Sequence, residues 1–120
     1  MNRTRRILVV DDDPAVTERL EVELHARYEV ASVHDPRQAL ALARALVPDA
    51  VLCGVDLPRM PGVEVCHALA EDPQTRDVAF VYLVEGAAPA AVDGRAAVAR
   101  NAPAREIAAC IEQALRRRGH

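Results

Sequence analysis

Three consecutive carboxylates, Asp11-Asp12-Asp13, follow a short apolar run, and Asp56 follows another just past its end. Clustered carboxylates can hold a hard divalent cation weakly, with water completing its shell. One guanidinium, Arg100, follows a third run and could neutralise the acids instead. Two readings of Asp11, Asp12 and Asp56 therefore stand together. They form a weak magnesium-type site, or an acidic pocket that stays solvated or pairs with Arg100. In a metal-free pocket, like-charge repulsion raises at least one carboxyl pKa unless Arg100 offsets it. Asp13 has another duty, since before Pro14 it reads as a helix N-cap with proline at the first helical position. No GxGxxG, P-loop, GxSxG or HExxH pattern occurs, so an enzyme has no positive support. His25, His34, His67 and His120 share no spacing with a carboxylate or thiol and read as surface or helix residues.

Holding these groups at one place is the task of short apolar runs alternating with helical segments. Ile7 to Val10 is apolar on both faces, as a buried parallel strand requires. Val16, Leu20 and Leu24 then recur at helical spacing. Tyr28 to Val33 reads as a second strand. Asp35-Pro36 opens a second helix that turns Ala39, Leu42, Ala43 and Leu46 inward. Ala50 to Gly54 is a third strand, followed by a breaker-rich loop from Val55 to Gly62. A third helix runs from about Val63 to Glu71, with Val65, Cys66 and Leu69 on one side. Ala79 to Leu83 is a fourth strand, Ala96 to Ala99 a fifth, and Ala104 to Arg117 a strong last helix with Ile107, Ala108, Ile111, Ala114 and Leu115 in one stripe. Between Ala87 and Asp93, bounded by Pro89 and Gly94, a fourth helix has room for one or two turns at most.

This alternation predicts an α/β fold, a doubly wound parallel five-stranded sheet, in a single domain over residues 1–120. Ligands of such sheets sit beyond the carboxyl ends of the strands. The stretches to watch are therefore Asp11 to Asp13, Gly54 to Asp56, Val84 to Glu85, and Arg100 to Asn101.

At these strand ends the chain resembles the receiver domain of two-component response regulators. The resemblance rests on ILVVDDDPAV at the start and PDAVLCGVDLPRMPGVEVC in the middle. It implies the flavodoxin-like strand order 2-1-3-4-5. It also implies an aspartate at the end of strand three that accepts a phosphoryl group, a divalent cation, and a hydroxyl and a lysine that hold the phosphoryl oxygens. The acidic pair is present as Asp11 and Asp12. Four residues before Pro58 and eight before Gly62, however, the acceptor position falls on Gly54. Glycine is neither a nucleophile nor a side-chain ligand. The hydroxyl position aligns with Val84 and the lysine with Arg100, which keeps the charge but not the compact ammonium. The following proline aligns with Asn101, and the signalling aromatic of strand five with Ala97. From Val84 to Arg100 the chain is shorter than the family's spacing, and the shortfall lies in helix four, which is expected to be shortened or missing.

Together these departures resemble the pseudo-receiver subgroup, the same fold used without phosphorylation. The expectation is a two-component signalling module, not an enzyme, that binds a protein partner: a signalling or output protein, or a second copy of itself. The surface would lie around helix one, strand five and the last helix, where Ile107 and Ile111 anchor the packing. No cofactor is required, and magnesium would bind weakly at most. The alternative is a phosphoacceptor that a histidine kinase modifies at Asp56.

Composition agrees. With 15 basic and 18 acidic residues the net charge is −3, which does not suggest a nucleic-acid surface. The one basic cluster, Arg116 to Arg118, complements the dipole of the last helix. No apolar stretch approaches membrane-spanning length. Cys53, Cys66 and Cys110 form no CxxC, and no signal peptide precedes them. The chain therefore reads as cytoplasmic, with its thiols reduced and serving as small hydrophobes.

Overall fold

In the computed structural model, which describes residues 3–119, five strands form one parallel sheet in the order β2-β1-β3-β4-β5. They are β1 (Arg5–Val10), β2 (Tyr28–Val33), β3 (Ala50–Gly54), β4 (Ala79–Val84) and β5 (Ala96–Ala99). The helices are α1 (Pro14–Leu24), α2 (Ala39–Leu46), α3 (Gly62–Glu71) and α4 (Ala104–Arg117), and a 3₁₀ turn over Pro36–Gln38 leads into α2. Strand register brings the carboxyl ends level. Val10 lies beside Val33 and Cys53, Gly54 beside Leu83, and Val84 beside Ala99. Residues that follow the strands therefore emerge at one end.

Each helix is where its sequence signals put it. Asp13 Oδ1 accepts the Ala15 N–H at 2.9 Å, with Pro14 opening α1. Asp35 caps the Pro36 turn in the same way, accepting the Arg37 N–H at 3.0 Å. Leu20 and Leu24 of α1 and Ile107, Ile111 and Leu115 of α4 bury against Ile7, Val9, Leu52, Val81 and Leu83 on one face of the sheet. Ile107 and Ile111 are fully buried, so they anchor α4 and offer nothing outward. Ala39 and Ala43 of α2 and Val65, Cys66 and Leu69 of α3 cover Leu8, Val10, Val51, Phe80 and Tyr82 on the other. Leu42 and Leu46, expected inside, are only half-buried. Cys53 and Cys66 are buried free thiols, and burial pushes Cys53 up; Cys110 is half-buried.

Two backbone features are specific. Val47 closes α2 in the left-handed region, with φ 49°, where a β-branched side chain is strained. Between β4 and β5 there is no helix at all, as expected of a fourth helix that is shortened or missing. Val92 and Arg95 instead exchange backbone hydrogen bonds of 2.9 and 2.8 Å around Asp93 and Gly94, at φ 47° and 76°. That is a type I′ turn, for which Asp-Gly is a preferred sequence. A segment this short, broken by Pro89, cannot repay helix nucleation, whereas a tight turn needs only two positive-φ residues.

Candidate functional site

The acidic end of the sheet is built around Asp11. Its N–H continues the β1 ladder to the Val33 carbonyl at 3.2 Å, and its side chain is fully buried. Oδ1 accepts the Asp13 N–H at 3.0 Å and the Arg100 Nη2 at 2.5 Å, while Oδ2 has no partner. Burial pushes the Asp11 carboxyl above its ordinary value, against the opposing pull of the Asp13 N–H and the Arg100 guanidinium, with the Asp12 charge adding to the rise. Of the three acids, Asp11 is the one paired with Arg100.

Arg100 is a cross-brace. Its Nη1 reaches Glu85 Oε1 at 2.5 Å while Nη2 holds Asp11. Its backbone N–H donates to the Val84 carbonyl at 2.9 Å. Its carbonyl accepts Arg19 Nη2 at 2.8 Å, and the same Nη2 also holds the Ala102 carbonyl at 3.1 Å. Burial works against the Arg100 charge, and Glu85 and Asp11 more than restore it. One side chain thus ties the ends of β1 and β4 to β5, and α1 clamps it from outside. The chain contains no lysine, so arginine here accords with its basic residues throughout.

Gly54 ends β3, fully buried. A Cβ built on it would lie 2.9 Å from Leu57 Cδ2 and 3.3 Å from Asp11 Oδ2. Leu57, 7% exposed, therefore occupies the space a side chain at position 54 would use. Gly62 is glycine for a stricter reason. A Cβ there would meet the Gly54 carbonyl oxygen at 2.1 Å, and its N–H donates to the Val55 carbonyl at 2.9 Å. The amino end of α3 is thereby pressed against the end of β3.

Val84 is half-buried, and its side chain has no hydrogen-bonding group. Ala97 lies beside Tyr82 in the β4–β5 register. The aromatic ring at this place belongs to β4: Tyr82 is fully buried and edge-on to Phe80, with centroids 5.0 Å apart. Burial pushes its hydroxyl well above the ordinary tyrosine value, and the neighbouring Cys66 thiol adds to the rise.

Asp11, Asp12, Asp56 and Arg100 all border one cavity of about 140 Å³, together with Gly54, Leu57 and Glu85. Asp12 and Asp56 are exposed at its rim. Magnesium takes octahedral oxygen donors, commonly one or two carboxylates with several waters. Among the described residues, no three Asp, Glu, His or Cys side chains gather as a metal cluster. The guanidinium of Arg100 stands against Asp11 instead. Asp11, Asp12 and Asp56 thus line the same cavity, Asp11 buried at its base against Arg100 and the other two exposed.

Sequence reasoning missed Leu57 as a plug, Glu85 as the second partner of Arg100, and Arg19 as its clamp. Glu85 alone had a signal, its place at the end of β4. It also missed His67, whose Nε2 lies 2.7 Å from Asp93 Oδ2 although no spacing suggested it. His34 Nε2 meets Thr17 Oγ1 at 2.9 Å, and His25 is exposed, while His120 lies outside the described residues.

The family model of the response regulator receiver domain matches residues 7–101, from within β1 past the end of β5, and takes in the whole acidic end. The chain belongs to that family. It is 43% identical over 91 residues to the response regulator PleD of Caulobacter vibrioides, covering 75% of this chain and 19% of PleD. It is 45% identical over 69 residues to the DNA-binding response regulator MtrA of Mycolicibacterium smegmatis, covering 57% of this chain and 30% of MtrA. The receiver domain thus spans about a fifth to a third of the length of these two relatives. A crystal structure of a putative response regulator from Chloroflexus aurantiacus superposes with a TM-score of 0.85 at 27% identity, covering 95% of this chain and 99% of that one. The chain is therefore a receiver domain of two-component signalling, with the strand order the resemblance implied. Receiver domains generally bind magnesium at this strand end. No helix here is long and apolar enough to cross a membrane.

Proposed function

We propose that this receiver domain is a pseudo-receiver, a protein-interaction module that works without phosphoryl transfer. The observation that carries the reading is Gly54 under Leu57. The acceptor position has no carboxylate, and an apolar side chain fills the space one would need. Two further features support it. Arg100 pairs with Asp11 and offsets its charge. Tyr82 is sealed inside the sheet beside Ala97, so no aromatic ring in β5 is free to signal a change at the site.

In this reading the domain is cytoplasmic and catalyses nothing. It binds neither nucleic acid nor membrane. Its partner is a signalling or output protein, or a second copy, meeting the surface of α1, β5 and α4. MtrA is a DNA-binding regulator over its full length, but this chain matches under a third of it.

The second reading takes Asp56 as a phosphoacceptor, and its exposure at the same cavity favours it. Incubation with magnesium and acetyl phosphate, followed by intact mass, separates the two. No adduct is the expected result. A single phosphoryl adduct that disappears in Asp56→Ala overturns the pseudo-receiver reading.

A further inference from the structure

We propose that a cavity at the amino-terminal ends of β4 and β5 binds a small phosphate-bearing anion with more than one charged group. The cavity, about 220 Å³, is at the opposite end of the parallel sheet from Asp11. Phe80, the second residue of β4, Ala96, the first of β5, and Ala114 of α4 form its apolar lining. Arg95, Arg117 and Arg118 supply its charge, and no acidic side chain lines it. Among the described residues, none of these three takes part in the ion pairs that engage Arg3, Arg6, Arg19, Arg37, Arg44, Arg59 and Arg100, and Arg118 Nη2 donates to the Arg76 carbonyl.

The bland account of Arg117 and Arg118 is the dipole of α4, which presents about half a negative charge at its carboxyl end. That account leaves most of two positive charges over. It does not reach Arg95, which arrives from another element, set at the start of β5 by the Asp93–Gly94 turn. Two elements thus deliver guanidinium groups to one apolar-floored hollow, in a chain whose net charge is −3. Long-range attraction does not favour an anion, so a bound one answers to the local cluster. Guanidinium forks match phosphate oxygens in pairs and are weakly hydrated. The volume is below the roughly 300–1,000 Å³ of sites for drug-sized ligands, so the ligand is small.

The test is titration of the intact chain with inorganic pyrophosphate, free of magnesium and at low ionic strength. Amide shifts and calorimetry are the readouts. Shifts are expected at Arg95, Ala96, Arg117 and Arg118 and not at Asp11 or Gly54. Arg95→Ala and Arg117→Ala should each weaken binding at least fivefold, and Arg95→Lys, which keeps the charge and loses the fork, by less. Arg105→Ala, removing the same charge elsewhere on α4, should stay within twofold of the parent. Thermal melts check that the variants fold, and if the alanine variants melt early the Arg95→Lys comparison carries the test. Shifts absent from the cavity, an equal loss in Arg105→Ala, citrate binding as tightly as pyrophosphate, or a single-stranded oligonucleotide displacing it at lower concentration would each overturn the assignment.

Discussion

Placing an aspartate at position 54 tests the site most directly. No backbone strain stands in the way, because Gly54 lies in regular strand and not in the left-handed region. The obstacles are the Leu57 side chain, 2.9 Å from the new Cβ, and Asp11 Oδ2 at 3.3 Å. Turning Leu57 out to water forfeits roughly 1.5–3 kcal/mol of apolar burial. A second carboxylate about 4 Å from Asp11 adds up to roughly 4 kcal/mol of repulsion at an effective dielectric near 20, which Arg100 cuts by about half. Gly54→Asp is therefore predicted to lose on the order of 3–5 kcal/mol in metal-free buffer. Gly54→Ala meets the same two Cβ contacts but adds no charge, and recovers roughly 0.5–1 kcal/mol of glycine's entropy, so it should fall within about 1 kcal/mol of the parent. Magnesium should reverse much of the aspartate loss, since a site at about a hundred times its Kd gains roughly 2.7 kcal/mol. Metal affinity should return more readily than phosphorylation, because Val84 still lacks a hydroxyl. Thermal melts of the three proteins, with and without magnesium, read every term. If Gly54→Asp melts with Gly54→Ala and magnesium raises neither, position 54 does not face the acidic pocket and the register is wrong.

Other predictions follow from single side chains. Asp11→Asn keeps an oxygen for the Asp13 N–H and Arg100. Because the folded state raises the Asp11 pKa, its contribution is fully present below the ordinary aspartate pKa and lost as pH rises through the folded value. The asparagine variant should thus be the more stable at pH 7, with the gap closing toward pH 4 in urea titrations; a gap that widens on acidification refutes the burial argument. Val47→Gly relieves the left-handed valine and should stabilise by about 1 kcal/mol in chemical denaturation. A loss would mean that the exposed Val47 side chain contributes packing. Gly94→Ala puts a Cβ at φ 76° and should cost about 1–2 kcal/mol. Faster amide exchange should appear at Arg95 and through β5; unchanged exchange there would show that the turn does not hold the strand.

The strands and helices were legible because each carries its signal locally. Buried parallel strands read as apolar runs, and Asp13-Pro14 and Asp35-Pro36 mark helix starts by cap and fixed φ. The Asp93-Gly94 pair was equally local, yet alternating units suggested a helix there and no apolar alternation flanked the turn. The acidic pair and the glycine at position 54 were visible from spacing to Pro58 and Gly62. What fills the glycine's space was not. Leu57 lies in a loop, where composition says nothing about direction. Arg100 could be placed at a strand end, but its grip on Glu85 depends on how far β4 and β5 run in register, which no residue pattern states. Cys53 and Cys66 were read as small hydrophobes and are buried accordingly.

The Arg100 brace bears on how a cell could govern such a domain. A switch needs two conformations of similar free energy and an agent that tips them. Here three strand ends and α1 are fastened through one guanidinium and its carbonyl, and the proposed reading leaves no covalent agent to loosen them. Occupancy of the partner then follows mass action alone. Synthesis, turnover and competition for the binding face become the dials, and the domain behaves as a dosage-sensitive adaptor whose message is how many copies are present.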